Sequence, residues 1–238
     1  MNIAIIPARG GSKRIPRKNI RAFDGRPMVA YAIEAATLSR LFAHIVVSTD
    51  DAEIAEVARE RGAEVFIRPD ALALDHVGTI PVVAHAIEAC SALGWTVDKV
   101  CCIYPAVPLL QIQDLHDALA LLEQGGADYA FPVAPFPSAI QRALRRLPDC
   151  RMEPFHPEFT ATCTQDLEAA YFDAGQFYWG TARAWLGGVS PHVAGKGLVI
   201  PEWRVVDIDT PEDWTRAEIL YRLLNQQDAA RFGMEKRG

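Results

Sequence analysis

The chain has 238 residues, and at roughly 150 residues per domain one large α/β domain with an excursion accounts for it. Half of the residues are hydrophobic and 23% are charged, which excludes a disordered chain, a coiled coil or a collagen-like repeat and leaves enough apolar surface for a sizeable core. A formal net charge of −6, from 24 Lys+Arg against 30 Asp+Glu, gives no general attraction to nucleic acid or an anionic membrane, though it permits a local basic site.

The N-terminal half alternates short β-branched runs with longer helical patterns. The pairs are Ile3 to Ile6 then Met28 to Leu38, Ile45 to Ser48 then Glu53 to Arg61, Val65 to Ile67 then Ile80 to Leu93, and Val100 to Tyr104 then Leu115 to Leu122. This rhythm predicts βαβ units, a mainly parallel sheet, and ligands beyond the C-terminal ends of its strands. From Pro135 to Tyr171 the rhythm breaks into a proline-rich stretch of weak periodicity, read as an excursion from the sheet. Gln176 to Trp179 and Val205 to Ile208 again look like strands. A helix is expected from Pro211, with Thr210 as its N-cap, and the polar tail after Asn225 is expected to fray. The organisation expected is therefore an α/β core over 1–134 and 172–225, an insert over 135–171 and a tail over 226–238.

No apolar run reaches the roughly 18 residues of a membrane span, and the opening Met1 to Pro7 is too short for a signal-peptide core, so a cytoplasmic protein is expected. The five cysteines are odd in number and contain no C-x-x-C pair, so neither a disulfide framework nor a zinc site is suggested. Reduced, buried thiols are the expectation. There is no internal repeat or low-complexity tract.

The strongest local signal follows the first strand. Between Arg9 and Arg21 stand six basic residues and no acid, with the pair Gly10-Gly11 and a hydroxyl at Ser12. Glycines let backbone N–H groups approach an anion and Arg and Lys neutralise it, so a polyphosphate is the natural guest; a solvated basic loop is the alternative. The stretch matches neither G-x-x-x-x-G-K-[ST] nor G-x-G-x-x-G, which disfavours a P-loop ATPase and a Rossmann dehydrogenase. Asp207-Ile208-Asp209, if extended, turns both carboxylates to one face where they could hold Mg²⁺; alternatively Asp209 or Thr210 caps the next helix and Asp207 is solvated. Arg68-Pro69 with Asp75 to Thr79 could fix a base or ribose, or be an ordinary loop and cap. His76 and His85 lack metal-ligand spacing. The stretch Tyr171 to Gly180 holds five aromatics and reads as core, with Asp173 and Gln176 the polar exceptions.

Ile6-Pro7-Ala8-Arg9-Gly10-Gly11-Ser12-Lys13, continuing to Lys18-Asn19, resembles the opening motif of the CMP-sugar-acid synthetases, the family containing the sialic acid cytidylyltransferases. The resemblance runs on through Ser48-Thr49-Asp50-Asp51, Arg68-Pro69, Tyr104 to Pro108 and Asp207-Ile208-Asp209, and covers residues 1 to about 222. Cys101 to Tyr104, Gln165 to Glu168, Asp173 to Gly180 and Asp207 to Trp214 look like the branch of the family that takes pseudaminic acid. Where the sialic acid branch has Gln-Pro-x-x-Pro-Leu-Arg, this chain has Tyr104-Pro105-Ala106-Val107-Pro108-Leu109-Leu110, so a less polar sugar pocket is expected. That suits a sugar with a methyl terminus, a feature legionaminic acid shares. Cys163-Thr164 departs from the Arg-Ser common in the pseudaminic branch.

The resemblance implies a Rossmann-like nucleotide-binding fold with a dimerisation insert. It implies a cytoplasmic homodimer and transfer of CMP from CTP to the anomeric hydroxyl of a nonulosonic acid, with pyrophosphate released and Mg²⁺ as cofactor. Surface or flagellin glycosylation would use the product. By the same resemblance Arg9, Gly10, Gly11, Ser12, Lys13 and Lys18 serve the triphosphate, and Asn19, Arg68 and Thr79 the cytidine. Asp207 and Asp209 would bind the metal, and Arg9, Lys13, Lys18, Asp207 and Asp209 form the catalytic set. Tyr104, Gln141, Asp173, Gln176 and Phe177 are the sugar-pocket candidates. CMP-legionaminic or CMP-N-acetylneuraminic acid synthesis, a D-x-D glycosyltransferase and a non-enzymatic nucleotide-binding protein are the alternatives.

Overall fold

A computed structural model describes the backbone of residues 1–235 and the side chains of residues 1–225. Four βα units open the chain, in the order β1 (Asn2–Pro7), α1 (Met28–Ser39), β2 (His44–Thr49), α2 (Ala52–Glu60), β3 (Glu64–Ile67), α3 (Thr79–Ala92), β4 (Lys99–Ile103) and α4 (Ile112–Glu123). They are followed by β5 (Tyr129–Pro135), β6 (Tyr171–Asp173), β7 (Phe177–Thr181), β8 (Gly195–Val199) and α5 (Pro211–Glu235). The main sheet runs β6-β5-β7-β4-β1-β2-β3, with β8 also on β5. Strands β3, β2, β1 and β4 are mutually parallel, whereas β7 lies antiparallel between β4 and β5. Beyond β1 the chain builds outwards to β3, then returns to place β4 on the other side of β1. This reversal opens a crevice at the C-terminal ends of β1 and β4.

Strand β1 is apolar and buried from Ile3 to Ile6 because both of its faces are covered. Ala4 and Ile6 pack with α1 and α4 residues on one side, and Ile3 and Ile5 pack with Val83, Ala86 and Ile87 of α3 on the other. The same alternation separates Cys101 from Cys102: each is fully buried, on opposite faces of β4, and burial pushes both thiols well above their ordinary value. Cys90 is also buried, but Cys150 and Cys163 are exposed. The expectation of five buried thiols therefore fails for the two in the excursion, which contributes no residue to the principal core clusters.

The excursion leaves the sheet after Pro135 and rejoins it at Tyr171, and these two residues pair across the β5–β6 ladder. Between them lie a short hairpin, Leu144–Arg146 with Met152–Pro154, and three 3₁₀ turns.

Residues 205–209 form no strand, contrary to the extended reading of Val205 to Ile208. Among the described residues the segment has no ladder partner, and it is held by other groups. Ile208 is buried with Ile15, Phe23, Met28, Tyr31, Trp214 and Ala217, and its carbonyl accepts from Lys18 Nζ at 2.7 Å. Thr210 caps α5 as expected: Asp213 N–H donates to its Oγ1 at 3.2 Å, while Thr210 N–H donates to Asp213 Oδ2 at 2.8 Å. The helix is continuous past Asn225 to Glu235. The expected fraying of the tail falls on side chains after 225 and on residues 236–238, outside the described residues. Among the described residues no helix is long and apolar enough to cross a membrane.

Candidate active site

The crevice over β1 and β4 holds a cleft of about 230 Å³. Most of its lining comes from four places: the loop after β1 (Arg9, Ser12, Lys13, Arg14, Ile15, Lys18, Asn19), Arg68 after β3, Val77 to Thr79 with Val82 at the start of α3, and Tyr104-Pro105 after β4. Pro7 and Asp209 complete it. Residues 190 positions apart thus meet, because the cluster around Ile15 and Ile208 clamps the 205–210 segment and α5 against the loop. Arg21 reinforces the clamp, its guanidinium 4.8 Å from the centre of the Trp214 ring.

The six cations of the loop do not share one task. Arg17 is tied to Asp51 at the N-terminus of α2, with its Nη2 2.9 Å from Oδ1, while the same carboxylate accepts from the Glu53 and Ile54 N–H groups at 3.0 Å. The hydrogen bond from Arg17 holds the Asp51 carboxyl below its ordinary value. Arg21 lies on Trp214. Arg9, Lys13, Arg14 and Lys18 remain at the cleft. Arg14 and Lys18 face Asp209 at 2.8 and 3.4 Å, and Arg9 and Lys13 face Asp75 at 2.6 and 2.5 Å.

Gly10 and Gly11 stand outside the lining. Gly10 N–H donates to Asp50 Oδ1 at 3.1 Å and Ser12 N–H to the Gly10 carbonyl at 3.0 Å, so the loop presents side chains, not those two N–H groups, to the cleft. Gly10 is needed for packing: a Cβ there would lie 2.5 Å from Asp51 Oδ2.

On the inner wall Asn19 and Arg68 are buried. Asn19 Nδ2 donates to the Arg9 carbonyl at 2.9 Å and Arg68 reaches the Ser48 carbonyl, yet among the described residues Asn19 Oδ1 and Arg68 Nε have no partner. A buried acceptor and donor without partners, both on residues that line the cleft, are groups a ligand edge can satisfy. Burial also pulls the Arg68 guanidinium below its ordinary value. Thr79 Oγ1 meets the Tyr104 hydroxyl at 2.9 Å, and the Tyr104 ring lies 5.5 Å from that of Tyr178, whose hydroxyl donates to Asp173 Oδ2 at 2.7 Å.

The remaining sugar-pocket candidates do not converge on this cleft. Phe177 is fully buried in the core, and Gln176 donates to the Arg204 carbonyl at 3.0 Å behind the site. Asp173 reaches the cleft only through Tyr178 and Tyr104, and is also bound to His192 and the Gly175 N–H. Gln141 lies in the excursion, bound to the Glu168 carbonyl at 3.0 Å. The sequence does not mark Tyr178 or Arg14: Tyr178 belongs to an aromatic stretch and Arg14 to a basic run, and neither type distinguishes a wall from a core or a solvated face.

Asp207 is exposed and Asp209 half-buried. Desolvation, then the charge of Asp209, lifts the Asp207 carboxyl above its usual range. Among the described residues no three His, Cys, Asp or Glu side chains converge as a self-sufficient metal cage. Two mutually repelling carboxylates beside a cation-lined cleft nonetheless fit Mg²⁺, which takes one or two carboxylates and completes its shell with phosphate oxygens and water.

Crevice and cleft together define an α/β nucleotide-binding protein with a polyphosphate-suited mouth. The sequence profile described as cytidylyltransferase matches residues 3–153. A pseudaminic acid cytidylyltransferase of Campylobacter jejuni subsp. jejuni serotype O:23/36 (strain 81-176) is 42% identical over 93% of this chain and 97% of that protein. A CMP-N,N'-diacetyllegionaminic acid synthase of Legionella pneumophila subsp. pneumophila is 32% identical over 94% and 97%. The solved CMP:2-keto-3-deoxy-manno-octonic acid synthetase, complexed with CTP, shares the fold, with a TM-score of 0.70 at 15% identity over 95% of this chain and 99% of that one. The chain belongs to the cytidylyltransferase family and is an enzyme of that family.

Proposed function

We propose that the enzyme transfers CMP from CTP to the anomeric hydroxyl of pseudaminic acid and releases pyrophosphate. The observation that carries this is the convergence of Arg9, Lys13, Arg14 and Lys18 with Asp209 on one cleft that Asn19 and Arg68 also line. Displacement at the α-phosphorus puts charge on the phosphate oxygens and the departing pyrophosphate, so donors fixed beforehand around them lower the barrier. Arg9, Ser12, Lys13 and Lys18 supply those donors; Asn19, Arg68 and Thr79 orient the cytidine. Asp207 and Asp209 would hold Mg²⁺, which when bound neutralises phosphate charge. No covalent protein nucleophile is needed.

The 42% identical pseudaminic acid relative supports the choice of sugar. The linked Tyr104 and Tyr178, with Tyr178 bound to Asp173, are the groups this reading gives to the sugar side. A homodimer built on the excursion is part of the same reading, supported by exposed Phe136, Ile140, Leu144, Met152 and Phe155 there. So are a cytoplasmic location and use of the product in surface or flagellin glycosylation.

Pyrophosphate release with CTP and Mg²⁺, measured against pseudaminic, N,N'-diacetyllegionaminic and N-acetylneuraminic acids, tests the proposal. Release with pseudaminic acid alone is expected. A preference for another acid would keep the chemistry and replace the sugar, and silence with all three would overturn the proposal.

A further inference from the structure

Two cations of the cleft, Arg9 and Lys13, already hold an anion. Asp75 lies between them, 2.6 Å from Arg9 and 2.5 Å from Lys13, on the segment that joins β3 to α3. It does not cap α3, whose N-cap is Gly78. Lys13 is 80% and Asp75 48% exposed, and ion pairs so open to water contribute little to folding. The pairing nevertheless lowers the Asp75 carboxyl below its ordinary value, through Lys13 first and Arg9 second. What a carboxylate held on two cations does is compete with any other anion for them, and a group on the same chain competes at a high effective concentration.

We infer that Asp75 is a built-in competitor for the phosphate subsite, which any phosphate ligand of Arg9 and Lys13 must displace. The inference rests on reading the cleft as the CTP site. An inorganic anion binds through charge alone and bears the whole cost of that displacement. CTP offsets it with contacts of its cytidine to Asn19, Arg68 and Thr79. Asp75 thereby raises the threshold for bare phosphates, and after transfer it returns to Arg9 and Lys13 and favours departure of pyrophosphate.

Sodium pyrophosphate, CTP and cytidine titrated calorimetrically into the wild type, Asp75→Asn and Asp75→Ser, without metal and at low ionic strength, test this. Both neutral variants should bind pyrophosphate about fivefold tighter and CTP tighter by a similar factor, with cytidine unchanged. If both bind pyrophosphate no tighter while still binding CTP, or if cytidine tightens equally, Asp75 is not the competitor although the cleft reading stands. Failure of the wild type to bind CTP would overturn the cleft reading and this inference with it.

Discussion

The proposed nucleotide wall and the sugar-side candidates of this enzyme are built in opposite ways. The first comes mostly from one run of chain, Arg9 to Asn19, folded over the end of a buried strand and clamped by the Ile208 and Trp214 cluster. The second is scattered over Tyr104, Gln141, Asp173, Gln176 and Phe177, of which only Tyr104 lines the cleft. A contiguous run of cations must end near one place whatever the rest of the fold does. A set dispersed over a sheet and an excursion meets only if the tertiary structure brings it together, and within one protomer it does not.

The largest expected break is on the nucleotide side. Asp209→Ala removes the carboxylate that faces Arg14 and Lys18 and should lower kcat by about a hundredfold or more at saturating Mg²⁺, with an unchanged circular dichroism spectrum. A near-normal rate would dissolve the metal assignment. Gly10→Ala acts through packing, because its Cβ would press on Asp51. It should destabilise the fold by roughly 1–3 kcal/mol in chemical denaturation and weaken CTP as the loop shifts. On the other side, Tyr178→Phe deletes only the hydroxyl bound to Asp173; a severalfold rise in the sugar KM with the CTP KM unmoved is expected. A rise in the CTP KM instead would show the two sides to be one unit.

The smallest effect concerns stability. Asp51→Asn keeps a helix cap and loses the charge that meets Arg17. Since the folded carboxyl is depressed, its contribution is present above the unfolded value near pH 4 and disappears as pH falls through the lower folded value. The variant should therefore melt below the wild type at pH 7 and converge with it in acid.

Much of the fold is legible in the sequence, because apolar runs of period two and helical stripes are local and strong. Met28 to Leu38 is a helix at Met28–Ser39, and Val65 to Ile67 a strand at Glu64–Ile67. Val205 to Ile208 misleads because a β-branched run says nothing about whether a ladder partner exists; here the backbone is held by Lys18 and the side chains by the Ile15 cluster. Of the site, the cations are visible as a group, but their division of labour is not. Arg17 and Arg21 become structural only through Asp51 and Trp214. Asp75 is invisible as a phosphate competitor because its partners lie more than sixty positions away.

The most direct test of the central claim, that the loop after β1 grips the triphosphate, is calorimetric titration of CTP into the wild type and Lys13→Ala. The account predicts that CTP binds the wild type and binds the variant about tenfold more weakly. Equal affinity for both would place the triphosphate elsewhere.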